Sequence, residues 1–168
     1  DVCGYCRGRK RRGKKMIVFH ADLDNTLIYS YKRDIGREKV GVEIYQNRVI
    51  SYMTPESHRR LKEISKNVLL IPTTTRTAEQ YGRIDLGIET PLYALVCNGG
   101  VLLKNGCEDA DWYDESLRLT ADCRGELIRA EKLLQQDADR SFEVRNVKEL
   151  FVFTKSDRPD LTAGLLRA

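Results

Sequence analysis

The sequence predicts an α/β fold in which a doubly wound parallel sheet of the Rossmann type carries helices on both faces. Three short apolar runs, at residues 15–20, 68–71 and 92–97, alternate with helical signals. Short continuous apolar runs are typical of buried parallel strands. The chain has 168 residues, 41% of them hydrophobic, so it is long enough for one compact domain but too short for two of the usual size. No run approaches the roughly 18 apolar residues that a membrane span needs, so we expect no membrane segment.

Between the first and second runs, the sequence predicts a β-hairpin and a helix. Residues 39–53 alternate strand-forming and polar side chains around the turn pair Gln46-Asn47. Thr54 then supplies an N-cap with proline at the first helical position, which predicts a helix over residues 55–66. The hairpin would therefore lie close to the end of the first strand.

After the second run, the order of strand, polar loop and helix repeats. Thr77 and Gln80 match a capping box, which predicts the start of another helix. The third run ends at an Asn-Gly-Gly turn, residues 98–100, whose turn chemistry lets residues 101–103 return as a hairpin arm.

The character of the sequence changes beyond Cys107. An acidic stretch at residues 108–115 precedes an amphipathic helix at 116–137, and two strands that would pair antiparallel follow at 142–145 and 150–154. These changes predict three parts: a basic tail at 1–15, a partial α/β core at 16–107, and the incomplete start of a second unit at 108–168.

The positive charge of the chain belongs to its tail. Seven of the 29 lysines and arginines but one of the 25 acids lie in residues 1–15, so the other 153 residues hold 22 basic and 24 acidic side chains. The tail lacks the apolar segment of a secretory signal and has too few apolar residues to fold. Three interpretations stay open: a disordered extension, sequence ahead of a natural start at Met16, or an arm for nucleic acid or another anionic surface. The mildly acidic body argues against a nucleic-acid partner elsewhere in the chain.

Five scattered cysteines, at positions 3, 6, 97, 107 and 123, form an odd set. Such a set argues against a disulfide framework and predicts a cytoplasmic protein. Cys3 and Cys6 have the spacing of a zinc-knuckle or redox pair, but no second pair of ligands follows at a usable distance. We interpret them as reduced thiols, with a metal or redox role as the alternative.

Polar side chains gather where the three predicted strands end. Ligands of doubly wound sheets bind outside the carboxyl ends of the strands, and the loops there are residues 22–26, 73–76 and 98–100. Asp22 and Asp24 are two residues apart, so extended backbone would point both carboxylates the same way. Like charges that close resist joint ionisation, which predicts either a hard cation such as Mg²⁺ or a nucleophile and acid pair with separated pKa values. The threonine hydroxyls and the glycine-rich turn add donors suited to phosphoryl oxygens.

Two of these loops resemble the motifs of a known family. Residues 19–27, Phe-His-Ala-Asp-Leu-Asp-Asn-Thr-Leu, resemble the first motif of the haloacid dehalogenase superfamily, and residues 70–76, Leu-Ile-Pro-Thr-Thr-Thr-Arg, resemble the second. With Cys-Asn-Gly-Gly at 97–100, the chain is similar to the Cof-type and sucrose-phosphatase-like branch, which inserts a large α/β cap after the third core strand. The resemblance implies that residues 108–168 begin such a cap.

The resemblance also implies roles for eight residues. Asp22 would attack phosphorus, become an aspartyl phosphate and bind Mg²⁺. Asp24 would protonate the leaving oxygen, then activate water, and would also be a metal ligand through its backbone carbonyl. A carboxylate nucleophile splits one hard step into two, and the metal neutralises charge on the phosphoryl group. The residues that would bind phosphate or substrate, or order the loops that do so, are Thr26, Thr74, Thr75, Arg76, Asn98 and Gly99.

The acid at Asp24 implies a phosphatase or phosphomutase rather than a transport ATPase or dehalogenase of this superfamily. The inserted cap favours a phosphatase for a small phosphorylated metabolite, with sugar phosphates first, because a cap closes over a small substrate and excludes water. The family's lysine and its later acidic motif have no counterpart after Lys155, so we expect a truncated form. The alternative is a non-catalytic binding module that keeps the fold and uses the basic tail for an anionic partner.

Overall fold

The computed structural model describes residues 16–167. The predictions for the basic tail, including those for Cys3 and Cys6, lie outside these residues. In chain order the strands are β1 (Val18–Asp22), β2 (Tyr29–Ser30), β3 (Val40–Tyr45), β4 (Arg48–Met53), β5 (Leu69–Thr73), β6 (Tyr93–Val96), β7 (Val101–Lys104), β8 (Cys107–Glu108), β9 (Arg145–Val147) and β10 (Phe151–Phe153). The helices are α1 (Pro55–Ile64), α2 (Ala78–Gly82), α3 (Ala110–Leu119), α4 (Arg124–Gln136) and α5 (Pro159–Arg167).

A five-stranded sheet in the order β1-β5-β6-β7-β8 forms the centre of the fold. The strands β1, β5 and β6 run parallel, β7 is antiparallel to β6, and β8 is antiparallel to β7. All three apolar runs are strands of this sheet, and α1 and α2 lie in the connections between its parallel strands. The predicted α/β class with a parallel sheet is confirmed.

The prediction that the first apolar run is buried is wrong. Val18 is 47% exposed and Phe19 is 40% exposed, and within β1 only Ala21 is buried. The reason is strand order: among residues 16–167, β1 pairs with β5 and with no strand on its other side, so it forms the edge of the sheet. A run of apolar residues cannot by itself distinguish a central strand from an edge strand.

The predicted hairpin is present as β3 and β4, which form a second sheet in the order β2-β4-β3. Its turn residues Gln46 and Asn47 have φ angles of 49° and 60°, the left-handed conformations that a tight hairpin turn of the primed type requires. The pairing shifts register on both sides of Glu43, between Gly41 and Glu43 and between Glu43 and Ile44.

The two predicted helix starts in the core are confirmed. The Thr54 hydroxyl accepts a hydrogen bond from the Ser57 N–H at 3.1 Å and caps α1. Thr77 and Gln80 form the reciprocal hydrogen bonds of a capping box at the start of α2. These caps satisfy backbone donors that the first helical turn leaves unpaired.

The single helix predicted over residues 116–137 is wrong, because the structure breaks it into α3 and α4. The break follows Thr120, whose hydroxyl donates to the Ser116 carbonyl at 2.9 Å, and a short 3₁₀ turn at Ala121–Cys123 separates the helices. The acidic stretch is itself the start of α3, since the Asp109 carboxylate accepts from the Trp112 N–H at 2.8 Å. The antiparallel strand pair after it is confirmed as β9 and β10, although β9 begins later than predicted.

Two hydrophobic clusters form the core between the sheets and the helices. The first packs β1, its following loop and the β3–β4 hairpin against α1, with Leu23, Ile28 and Met53 fully buried. The second packs β6 and β7 against residues of the 108–167 segment, including Tyr113 and Leu150. Tyr81 of α2 contacts both. The boundary predicted near residue 107 stays a prediction.

No helix within residues 16–167 is both long enough and apolar enough to cross a membrane.

Candidate active site

The loop after β1 holds the predicted aspartate pair with Leu23 between the two. Leu23 is fully buried, and its carbonyl accepts hydrogen bonds at 2.9 Å from the backbone N–H groups of Leu27 and Ile28. Leu23 packs in the first hydrophobic cluster, and neither Asp22 nor Asp24 is part of that cluster. Asp22 is exposed and Asp24 is half-buried.

Thr26 lies against the proposed nucleophile. Its hydroxyl donates to Asp22 Oδ2 at 2.7 Å, across the turn that follows β1. In this state Thr26 orients the Asp22 carboxylate, and the Oδ1 atom of Asp22 has no hydrogen-bond partner among residues 16–167. The predicted role of Thr26 in phosphate binding stays a prediction.

The loop after β5 reaches the same place because Asp22 and Thr73 are register partners in the parallel pair of β1 and β5. Thr74, one residue further, is buried, and its hydroxyl faces Asp24 Oδ2 at a long 3.4 Å. The same oxygen of Thr74 accepts the backbone N–H of Arg76 at 3.2 Å. Thr74 therefore joins the two loops, and its predicted role in binding phosphate stays a prediction.

Arg76 makes the strongest contact in the site. Its Nε donates to Asp24 Oδ2 at 2.9 Å and its Nη2 donates to Asp24 Oδ1 at 2.8 Å, so the guanidinium forms a bidentate pair with the carboxylate. Paired hydrogen bonds of this kind are strong and directional. The hydrogen bonds to Asp24 raise the pKa of the Arg76 guanidinium against the opposing effect of burial, so the cation stays charged.

Glu43 is a site residue that the sequence does not reveal. Its side chain is fully buried, accepts from the Ser51 hydroxyl at 2.5 Å and accepts from Arg76 Nη1 at 2.9 Å. Regular alternation along β3 would place Glu43 opposite Val42 and Ile44. The register shifts reverse this, so that Val42 and Glu43 are both buried and Ile44 is 64% exposed. No pattern in the sequence marks the shift.

The turn after β6 is tied to the loop after β5 through its backbone. Cys97 N–H donates to the Arg76 carbonyl at 2.7 Å, and Asn98 N–H donates to the Thr74 carbonyl at 3.0 Å. Cys97, Asn98 and Gly99 have φ angles of 51°, 59° and 88°, three successive left-handed conformations that turn the chain sharply. All three predicted loops therefore meet at one end of the sheet.

Not every predicted side chain makes a contact there. The side chains of Thr75 and Asn98 are exposed, and neither forms a hydrogen bond with residues 16–167. Gly99 takes part through its carbonyl, which accepts from Trp112 Nε1 at 3.0 Å. Asn98 thus acts on the site through its backbone in this state.

The charges of the site do not balance. Asp22, Asp24 and Glu43 carry three negative charges, whereas Arg76 and Arg83, which lies 3.4 Å from Glu43, supply two positive charges. Both cations contact Asp24 or Glu43, and no basic side chain within residues 16–167 forms an ion pair with exposed Asp22. A cation or an electrophilic centre would be attracted to that carboxylate.

The donor set fits Mg²⁺ only in part. Among residues 16–167, no group of three or more His, Cys, Asp or Glu side chains lies close enough to hold a metal ion. Of the two predicted ligand residues, Asp22 has an exposed carboxylate and Asp24 has its carboxylate engaged by Arg76, so a role of the Asp24 backbone carbonyl stays a prediction. Mg²⁺ commonly binds through one or two protein oxygens and fills its shell with water and substrate phosphate, and the β1 loop is compatible with that mode.

No protein-family model matches the chain, and no curated protein matches it significantly. One similar solved structure is that of a phosphatase of the haloalkanoate (HAD) enzyme superfamily from Bacteroides thetaiotaomicron. The two are 17% identical with a TM-score of 0.39, and the match covers 96% of this chain and 50% of the other. The chain therefore spans about half the length of that protein. At this level of likeness, fold and site rest on the geometry of the chain itself.

Proposed function

We propose that the chain carries the reaction centre of a phosphohydrolase that acts on a small phosphorylated metabolite, with sugar phosphates as the first candidates. The carrying observation is the exposed Asp22 carboxylate at the carboxyl end of β1, beside Asp24 and the Arg76 loop of the next strand. Small ligands of open α/β sheets bind outside the carboxyl ends of the strands.

Asp22 is suited to be the nucleophile because its carboxylate is exposed and carries the uncompensated charge of the site. One Asp22 oxygen would form a bond to phosphorus while the phosphorus–oxygen ester bond breaks, giving an aspartyl phosphate and an alcohol. Water would then attack phosphorus while the Asp24 carboxylate takes up its proton, so that phosphate is released, the bond between phosphorus and the Asp22 oxygen breaks, and both aspartates return to their starting state. Thr26, through its 2.7 Å hydrogen bond, holds Asp22 in one orientation for the attack.

Asp24 would move the proton. In the state described, both of its oxygens accept hydrogen bonds from Arg76. A protonated Asp24 has one oxygen fewer to offer as acceptor, so giving its proton to the leaving ester oxygen, which becomes the alcohol, requires that Arg76 keep one of the two hydrogen bonds and release the other. Arg76 therefore controls which oxygen of Asp24 faces the substrate.

Mg²⁺ would be held by the Asp22 carboxylate and the Asp24 backbone carbonyl. When bound, it would neutralise charge on the phosphoryl group as the nucleophile approaches. Within residues 16–167, the chain's own contribution is to pair Asp24 and Glu43 with Arg76 and to leave Asp22 without an arginine partner.

We propose that residues 108–167 contact the substrate's leaving group. Trp112 of α3 binds the Gly99 carbonyl, and Leu150 packs against Gly100, so this segment borders the turn after β6.

Cys97, Cys107 and Cys123 are free thiols, which fits a reducing compartment, and we propose a cytoplasmic enzyme.

Release of phosphate from a panel of phosphomonoesters, including hexose phosphates, tests the proposal, with Mg²⁺ and with a chelator. We expect Mg²⁺-dependent release, and a loss on the order of 10³-fold or more in Asp22→Asn because the nucleophile is removed. The matched control is Asp122→Asn, the same change at an exposed position between α3 and α4. Intact-mass detection of a phosphorylated chain gives a second readout. Absence of release and of phosphorylation, or equal activity in Asp22→Asn, would refute the proposal.

A further inference from the structure

Glu43 is a fully buried carboxylate that the proposed reaction does not use. It lies on β3 of the hairpin, outside the three loops that carry the predicted site residues, yet its Oε1 lies 2.9 Å from Arg76 Nη1. A buried carboxylate is strongly unfavourable unless hydrogen bonds and opposite charges compensate it. The groups that compensate the Glu43 carboxylate therefore indicate the role of its side chain.

Three groups compensate Glu43. The Ser51 hydroxyl of β4 donates to Oε2 at 2.5 Å, Arg76 donates to Oε1 at 2.9 Å, and Arg83 Nε lies 3.4 Å from Oε1. Ser51 and Glu43 are register partners in the hairpin, so the β-sheet itself fixes the carboxylate. The two arginines then meet an anion whose position the hairpin determines.

Glu43 and Asp24 share the guanidinium of Arg76. Asp24 takes the Nε and Nη2 donors, and Glu43 takes an Nη1 donor, so three of the five N–H groups are engaged in one plane. A planar group held at three atoms cannot rotate without breaking a hydrogen bond. Held only by Asp24, which lies on a half-buried loop, it would be free to move together with that carboxylate.

We propose that Glu43 is a positioning residue, which anchors Arg76 from the hairpin so that Arg76 presents Asp24 in one fixed orientation. The consequence for catalysis rests on the proposed function, whereas the anchoring itself does not. The register shifts beside Glu43 bury it next to buried Val42 and so bring its side chain into this contact, whereas Ile44 stays exposed.

Exchange of the Arg76 Nε–H with solvent, measured by ¹H–¹⁵N NMR, tests the anchoring without any assay of activity. The signal is assigned by its loss in Arg76→Lys. In Glu43→Gln we expect this exchange to become about tenfold faster, since a charge-assisted hydrogen bond to a buried anion is lost. The control Glu79→Gln removes the same charge from the exposed partner of Arg83 and leaves the exchange unchanged.

The Ser51→Ala variant keeps the measurement decisive if Glu43→Gln does not fold. It removes the 2.5 Å hydrogen bond that orients Glu43 and retains both carboxylates, so we expect exchange about threefold faster. Unchanged Arg76 exchange in a folded Glu43→Gln protein, or in Ser51→Ala if Glu43→Gln is unfolded, would overturn the proposal. A purely structural role of Glu43 in the hairpin predicts that unchanged result.

The catalytic consequence has its own readout. In preparations that hydrolyse a phosphomonoester, Glu43→Gln is expected to lower kcat about tenfold with KM within about twofold of the original value, because Asp24 acts in bond cleavage rather than in substrate binding. An equal loss in Glu79→Gln would contradict this. Failure of all phosphomonoesters to react would remove the proposed function and leave the exchange result to decide the anchoring.

Discussion

Tyr81 links the two hydrophobic clusters, and because its phenol is partly buried, the fold should lose stability as the pH rises into the alkaline range. The side chain contacts both clusters, and desolvation raises the pKa of its phenol from 10.0 to about 12. Below pH 10 the phenol is neutral in the folded and the unfolded chain. Above pH 10 the unfolded chain loses this proton while the folded chain retains it up to about pH 12, so the free energy of unfolding falls across that interval.

The size of the loss follows from the shift. A difference of about 2 pKa units corresponds to an upper bound of about 2.7 kcal/mol. Tyr81 is partly rather than fully buried, and residual solvent screens the phenolate, so we expect a loss of about 2 kcal/mol. The Tyr81→Phe variant keeps the ring in both clusters and removes the titrating hydroxyl, so this part of the alkaline loss should disappear.

Urea denaturation followed by circular dichroism between about pH 9 and pH 12 measures the effect as a difference between the two proteins. The control is Tyr31→Phe, since Tyr31 is 57% exposed and should leave the alkaline loss unchanged. If Tyr81→Phe lost stability with pH as steeply as the original protein, the assignment of the alkaline loss to burial of Tyr81 would be refuted.

The packing of the chain supports two further predictions, each read from urea denaturation. Gly100→Ala should destabilise by about 0.5–1.5 kcal/mol, since its Cβ would lie 2.4 Å from Leu150 Cδ1 and the Leu150 side chain must leave its rotamer. Gly125→Ala, in the first turn of α4 and with no atom within 4 Å of the added Cβ, should stabilise by about 0.5 kcal/mol or less. Equal effects would contradict the contact. Leu23→Ala should cost about 2–5 kcal/mol because the side chain is fully buried, whereas Leu119→Ala, at a residue 69% exposed, should stay within about 0.5 kcal/mol.

The features that were predictable from sequence are those whose cause is local. The N-caps at Thr54 and Thr77 and the left-handed turn at Gln46-Asn47 depend on the chemistry of a few successive residues, and the structure contains each of them. The helix break at Thr120 is a local event as well, but apolar periodicity continues through it and masks it. The Asp109 cap of α3 is also local, but Asp109 is one of several acids in this stretch, and their shared charge does not mark which of them caps a helix.

The features that sequence did not predict depend on pairing between distant segments. The position of β1 at the sheet edge follows from strand order, and the inward orientation of Glu43 follows from register shifts against β4. Neither leaves a mark in the residues concerned, because Val18 and Phe19 have the composition of a central strand and Glu43 has that of a solvent-facing one.

For the candidate site, the sequence determined which groups are present and that three loops carry them. An aspartate pair after one strand, a Thr-Thr-Thr-Arg segment after the next and an Asn-Gly-Gly turn after the third are properties of short segments. Only the tertiary structure decided how those groups are divided: Arg76 pairs with Asp24 and Glu43, whereas Asp22 is exposed and has no ion pair with any residue of the described segment 16–167. The physical reason is that hydrogen-bond partners up to 52 residues apart are chosen by strand order and register, which depend on the packing of the whole sheet.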